Sequence, residues 1–196
     1  MDRKTDLIRE KFDTWAPNWD EEEGPDSKLL DFLFSVLPGG KKDKVLDLAC
    51  GTGVISKRLQ EKYGGEVYGL DLSPKMIEIA KAKYQNDPHI HFSSGDFYAD
   101  KSSGYDLIVM HNAYPHFLDV EGLCKRLYDA LNEGGYFAVI HSVGREELND
   151  HHAAHASPIS FLLSSPEEEA NRFSPAFQTV DFGEDKTYYY FILKRN

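Results

Sequence analysis

The chain has 196 residues, 41% of them apolar and 13% aromatic, which is enough for one domain with a full core and excludes a disordered polymer. No run approaches the ~20 apolar residues of a membrane span, and the charged start "MDRKTDLIRE" lacks an apolar leader, so the reading is a cytoplasmic protein. A formal net charge of −11 repels phosphate backbones and argues against a nucleic-acid partner.

Residues 1–35 read as two helical patterns that form a lid or flank, with Phe12, Trp15 and Trp19 at helical spacing. The acidic run Asp20 to Asp26 between them reads as a solvated loop. An apolar strand at 44–49 precedes a helix at 53–63, and a strand at 66–72 precedes a helix at 73–85. Ser73 is the N-cap of that second helix, with Pro74 at its first position. Strands follow at 89–96 and 105–110, then a helix at 119–132 ending in "NEGG", then a fifth strand at 135–142. Residues 145–175 are less regular, although "SVGREELNDHHAAHAS" (142–157) carries a helical pattern. The end, 175–196, reads as two strands joined by a glycine-containing turn. Strands alternating with helices predict a parallel sheet covered on both faces, with an antiparallel strand added by the final hairpin. The organisation expected is one domain over 1–196: the helical flank, a ligand-binding core at 44–141, a substrate cover at 142–176 and the hairpin at 177–196. Cys50, in the glycine turn, and Cys124, on a later helix, read as reduced thiols.

The stretch "VLDLACGTGVIS" (Val45 to Ser56) places an acid, Asp47, before Gly51 and Gly53 at the turn between a strand and a helix. In a parallel sheet that turn lies at the carboxyl end, where ligands bind. Glycines clear side chains from the approach, and the next helix offers free N–H groups. The dinucleotide fingerprint is incomplete, because position 56 is Ser where a third glycine belongs. Asp47 also repels a pyrophosphate and suits a ligand that carries positive charge. Asp71, ~20 residues beyond the turn, stands where an acid holds ribose hydroxyls. Asp96, in "GDFY", ends the third strand, where it can accept from an adenine amino group beside Phe97.

In order, "VLDLACGTG", "GLDLSPKMIEIA", "GDFYAD", "YDLIVMHNAYPHF" and "LNEGGYFAVI" resemble a class I S-adenosylmethionine-dependent methyltransferase over roughly residues 12–141. The resemblance implies a Rossmann-like, doubly wound α/β fold with a seven-stranded sheet in order 3-2-1-4-5-7-6, strand 7 antiparallel. It implies that Asp47, Ala49, Gly51 and Gly53 cradle the methionine part, Ala49 standing where many members have Gly. Asp71 would hold the ribose, with Leu72 and Met76 beside the adenine, Asp96 and Phe97 on it, and His111 and Asn112 at the sulfonium. "FDTWAPNWD" resembles the opening of the small-molecule branch, in which an aromatic segment folds over the cofactor; Phe12, Trp15 and Trp19 would form such a cover, or the same aromatics pack the helix on the core.

His111 and His141 end neighbouring strands, His116 lies in the loop "HNAYPHF", and His152 and His155 lie almost one turn apart on the helical pattern after strand five. Their convergence allows three roles. One histidine is a general base toward the acceptor. Or His111, His116, His141 and His155 include ligands of a divalent metal, although their spacing matches no zinc signature. Or they contact substrate or solvent without special chemistry. His89 and His91 flank a strand and read as structural. The short region after strand five favours a small-molecule acceptor. A non-catalytic S-adenosylmethionine- or metal-binding module of the same fold is the alternative, and a nicotinamide oxidoreductase is disfavoured by Asp47 and Ser56.

Overall fold

A computed structural model describes residues 3–22, 27–155 and 159–196. Seven strands form one sheet: β1 (Lys44–Leu48), β2 (Glu66–Asp71), β3 (Ile90–Ser94), β4 (Tyr105–His111), β5 (Leu131–His141), β6 (Phe177–Glu184) and β7 (Tyr189–Arg195). Their order is β3-β2-β1-β4-β5-β7-β6. The first five are parallel, and β7 runs antiparallel to both β5 and β6, as the resemblance implies. The helices are α1 (Arg3–Trp15), α2 (Trp19–Glu22), α3 (Ser27–Val36), α4 (Ser56–Tyr63), α5 (Pro74–Lys83), α6 (Val120–Ala130), α7 (Arg145–His155) and α8 (Pro166–Asn171). The acidic run expected as a loop begins as helix α2, and its residues 23–26 lie outside the described ones.

Alternation along the central strands divides the core between two faces. Phe137 and Val139 join Tyr114, Phe173 and Phe191 on one face. Leu107, Val109, Ala138 and Ile140 join Leu33 and Leu59 on the other. Every one of these side chains is buried, so the sheet is covered on both sides and its strands read as nearly unbroken apolar runs.

Several boundaries differ from the sequence reading for local reasons. The helix expected from 53 begins at Ser56, because Gly51 (φ +52°) and Gly53 (φ +80°) hold a turn that no right-handed helix admits. The fifth strand starts at Leu131 rather than 135, because Leu131 pairs with Tyr105 and the ladder shifts register before Leu107. Within the stretch expected to be irregular, Ser165 and Glu168 form a reciprocal capping box that starts α8. The terminal hairpin turns on Asp185, whose carboxylate accepts the backbone N–H groups of Thr187 and Tyr188 at 2.6 and 3.1 Å. Gly183, expected in that turn, instead lies in β6, where a Cβ would meet the Tyr190 ring at 2.9 Å. Tyr189 and Tyr190 are core, and Tyr188 stacks on Phe32 at 4.6 Å. Among the described residues no helix is long and apolar enough to cross a membrane.

Candidate active site

The carboxyl ends of β1, β2, β3 and β4 open into a cavity of about 380 Å³. Ala49, Gly51, Asp71, Leu72, Met76, Asp96, Phe97, His111, Asn112 and Trp19 line it, as the sequence placed them. A smaller space of about 30 Å³ adjoins it and shares Trp19, Ala49, Gly51, His111 and Asn112; Asp47 stands there.

Backbone strain marks this wall. Among the described residues, Ala49 (φ +57°) and Asn112 (φ +53°) are the non-glycine residues in the left-handed region, and both line the cavity. Holding a side chain in that conformation costs about 1 kcal/mol, which explains why glycine suits position 49. Such strain collects where function dictates the backbone path.

Asp71 serves the turn as well as the cavity. One carboxylate oxygen accepts the Gly51 N–H at 2.8 Å and the other accepts the Ser73 N–H at 2.8 Å. Each oxygen keeps lone-pair capacity for a ligand hydroxyl. Burial pushes Asp71 up to about 6 against these two hydrogen bonds. Asp47 is 1% exposed, and burial pushes it up to about 7 although Ser56 Oγ donates to it at 2.5 Å. Two desolvated carboxyls side by side suit a cationic ligand, which restores their ionised forms.

Trp19 covers the turn: its Nε1 lies 3.4 Å from where a Gly51 Cβ would stand. The helical segment is fastened on both sides of the cavity. Asp13 accepts from Ser73 Oγ at 2.5 Å and from the Lys75 N–H at 3.3 Å. Asp20 accepts from Thr52 Oγ1 at 2.5 Å and pairs with Lys83 at 2.8 Å.

Gly53 lines neither space, and a Cβ there would meet Phe92 of β3 and Tyr84 at 2.9 Å. Trp15 lines neither space and packs edge-on against Phe12 at 5.4 Å beneath the Lys11 ammonium. The residues that sequence reasoning left out of the site come from α1 and the loops after β3 and β4. Lys4 and Ile8 precede Phe12 at four-residue spacing on α1, and Tyr98, Phe117, Leu118 and Asp119 add to the wall. The four-residue stripe was visible, but such a stripe more often marks ordinary helix packing.

The histidines converge behind this wall. His116 lines the cavity, its Nδ1 sharing a hydrogen bond with the Ile159 carbonyl at 3.0 Å. His152 stacks 5.3 Å behind it. His141 is fully buried, and neither of its ring nitrogens has a partner. The Nε2 of His111 and Nδ1 of His152 are likewise buried without partners. Burial pushes His111 and His152 down to about 4, and lowers His116 and His141 too, so all four rings are neutral near pH 7. His141 and His152 do not reach the cavity, and the side chain of His155 lies outside the described residues. Among the described residues no three of His, Cys, Asp and Glu form a group fit for a metal ion, and of the set expected at His111, His116, His141 and His155 the last side chain lies outside them. The stretch 142–176, expected as the substrate cover, contributes no described residue to the cavity; α1 closes it instead.

Known proteins point the same way. Residues 45–135 match the methyltransferase-domain family. Malonyl-(acyl-carrier protein) O-methyltransferase of Acetivibrio thermocellus is 27% identical over 142 residues, covering 70% of this chain and 49% of that protein. Trans-aconitate 2-methyltransferase of Deinococcus radiodurans is 31% identical over 144 residues, covering 72% of this chain and 53% of that protein. The chain thus spans about half the length of these curated relatives. In fold it matches a chain of the solved complex between the Haloferax volcanii Trm112 methyltransferase activator and its methyltransferase, with a TM-score of 0.82 at 19% identity, over 96% of this chain and 97% of that one. Sheet order and strand-end acids define a class I Rossmann-like methyltransferase domain. Residues 45–135 form a methyltransferase domain, similar to the class I S-adenosylmethionine-dependent methyltransferases.

Proposed function

We propose that this chain binds S-adenosylmethionine in the β1–β4 cavity and transfers its methyl group to a small-molecule acceptor. The observation that carries the reading is the gathering of Asp47, Asp71 and Asp96 from three neighbouring strands around adjoining spaces, beside the strained Ala49 and under Trp19, with α1 along one side. The cavity volume of about 380 Å³ falls in the range of small-ligand sites. The residues fit the cofactor: Asp71 retains lone pairs for ribose hydroxyls, Asp96 stands beside Phe97 for a base, and Asp47 offers a carboxyl to an ammonium.

S-adenosylmethionine supplies an electrophilic methyl group on a sulfonium. The protein's own contribution is alignment and exclusion of water. Trp19, Phe12 and Ile8 wall off the strand ends from solvent, and the paired side-chain hydrogen bonds between Asn112 and Ser142, both 2.9 Å, fix the end of β4 against that of β5. His111 and His116 are the neutral imidazoles on the wall, able to take a proton from an acceptor O–H, N–H or S–H.

A non-catalytic binding module of this fold predicts cofactor binding without turnover. Incubation with methyl-labelled S-adenosylmethionine and a panel of thiols, amines, phenols and carboxylic acids separates the two. Labelled product from one member supports transfer, whereas tight binding with no product from any class supports the module.

A further inference from the structure

His111 and His116 both line the cavity, but their rings are held differently. His116 Nδ1 meets the Ile159 carbonyl at 3.0 Å, whereas the Nε2 of His111 is buried without a partner. The Ile159 carbonyl is itself fixed in place. Two residues on, the Phe161 N–H donates to the Pro115 carbonyl at 3.0 Å, which clamps the segment at 159–161 against the 3-10 turn Tyr114–His116. His152, 5.3 Å behind His116, hydrogen-bonds to the backbone of Phe161 in the same segment. Phe12 of α1 meets the His116 ring nearly at right angles, at 5.1 Å. Ile159 is buried and lines neither space, so the carbonyl grips the ring from outside the cavity wall.

A carbonyl oxygen only accepts, so the ring nitrogen that faces it carries the hydrogen. Burial lowers the pKa of His116 against the pull of that carbonyl, and the neighbouring Lys11 and His151 lower it further, so the ring is neutral near pH 7. A neutral imidazole has one N–H. With that hydrogen on Nδ1, Nε2 is a bare lone pair on the side of the ring turned away from Ile159. One nitrogen fixed by an acceptor and the other free to take a proton is the arrangement of a general base. The carboxylates on the wall hold backbone N–H groups instead. Asp71 holds those of Gly51 and Ser73, Asp96 that of Tyr98 at 3.0 Å, and Asp119 that of Gly122 at 2.9 Å, as the cap of α6.

We propose that His116 Nε2 is the general base of methyl transfer, set in that tautomer by the Ile159 carbonyl, and that the acceptor is a hydroxyl compound whose O–H donates to it, with its apolar body against Phe12 and Ile8. This rests on the methyltransferase reading, because it assigns a role in that reaction. The acceptor oxygen forms its bond to the methyl carbon while the carbon–sulfur bond breaks, and the electron pair of that bond stays with sulfur. The hydroxyl proton passes to Nε2, so the positive charge lost at sulfur reappears on the imidazolium, and the proton leaves to water when the product departs. A weak base is enough, because an oxygen that gains a methyl group while still protonated is a strong acid. A carboxylate is already ionised at neutral pH and has no proton to give. A methylated amine is too weak an acid to pass its proton to a ring of lowered pKa.

The test uses the full chain. S-adenosylhomocysteine is titrated first; failure to bind sinks the methyltransferase reading, and the base assignment falls with it for that separate reason. In the chain labelled with 15N-histidine, two-bond proton–nitrogen correlation at about pH 7 should show His116 with Nδ1 protonated and Nε2 bare, its signals assigned by their loss in His116→Asn. Asparagine places an N–H where Nδ1 stood and has no basic nitrogen, so this variant should keep the parent S-adenosylhomocysteine affinity; His116→Gln takes its place should it not fold. Methyl transfer from labelled S-adenosylmethionine is then measured at about pH 8 to 4-methylphenol, which keeps its proton there, and to 4-nitrophenol, of similar size and largely ionised. His116→Asn should slow transfer to 4-methylphenol at least about 100-fold and transfer to 4-nitrophenol no more than about threefold, because a phenolate needs no base. A merely structural role would slow both alike. An Nε2–H tautomer or an imidazolium at His116, equal slowing with both phenols, no slowing with 4-methylphenol, or no transfer to 4-methylphenol by the parent chain with cofactor bound overturns the inference.

Discussion

The helical cover is held shut by two carboxylates, and removing them should release the cofactor faster. Asp13 reaches Ser73 and the Lys75 N–H at the head of α5, while Asp20 reaches Thr52 in the glycine turn and Lys83 at the end of α5. Burial would raise Asp20, but Lys83 and Thr52 outweigh it and hold its carboxyl below the usual range, so it is ionised at neutral pH. Both sites are partly exposed, so each contributes about 1 kcal/mol rather than the larger figure of a buried charged bond. They share no partner and should add, giving about 2 kcal/mol, or roughly thirtyfold in the closed-to-open ratio. A ligand bound beneath a closed cover weakens by that same factor. The chain's two tryptophans, Trp15 and Trp19, both lie in this segment, so tryptophan-selective emission reports on the cover. The Asp13→Asn/Asp20→Asn double variant should release S-adenosylhomocysteine in stopped-flow displacement roughly thirtyfold faster, with its melting temperature little changed. Parent-like release from a folded double variant would refute the latch.

Asp71→Ala leaves the Gly51 and Ser73 N–H groups without their acceptor, so it should lower both fold stability and cofactor affinity by about 1–3 kcal/mol; calorimetry and thermal melts on the same sample check both. Cofactor affinity should also depend on pH. The free protein holds protons on Asp71 up to about 6 and on Asp47 up to about 7, and a bound cation favours their release. The complex therefore carries fewer protons than the free protein, and affinity for S-adenosylmethionine should strengthen as pH rises through that window, by at most about tenfold per unit for each proton released. A flat profile between those limits would show that neither acid meets the ligand. Gly53→Ala forces a side chain into φ +80° and against Phe92 and Tyr84, so urea unfolding should report a loss of about 2–4 kcal/mol, strain and overpacking together.

Long apolar strands with helices between them made the sheet legible, because burial on both faces writes itself as runs such as "DLIVM" and "YFAVI". The acids at the strand ends were legible for a related reason: an ionisable group closing an apolar run has few roles except at a ligand. What escaped the reading depends on three-dimensional company. Gly53 and Gly51 look alike in sequence, yet one clears the ligand approach and the other clears Phe92. Trp15 and Trp19 share a motif and stack on each other at 6.4 Å, yet only Trp19 lines the cavity. The histidines did converge, but a sequence gives no depth, and His141 and His152 lie behind the wall rather than on it. The start of α8 was written in "SPEE" and passed unread.

The central claim is that the turn at Asp47 to Gly53 holds S-adenosylmethionine. Calorimetric titration of the chain with S-adenosylmethionine and S-adenosylhomocysteine tests it most directly. The account predicts one molecule bound per chain with a Kd on the order of micromolar, weakened by about 1–3 kcal/mol in the Asp71→Ala variant. Absence of binding by both compounds to the folded protein would contradict it.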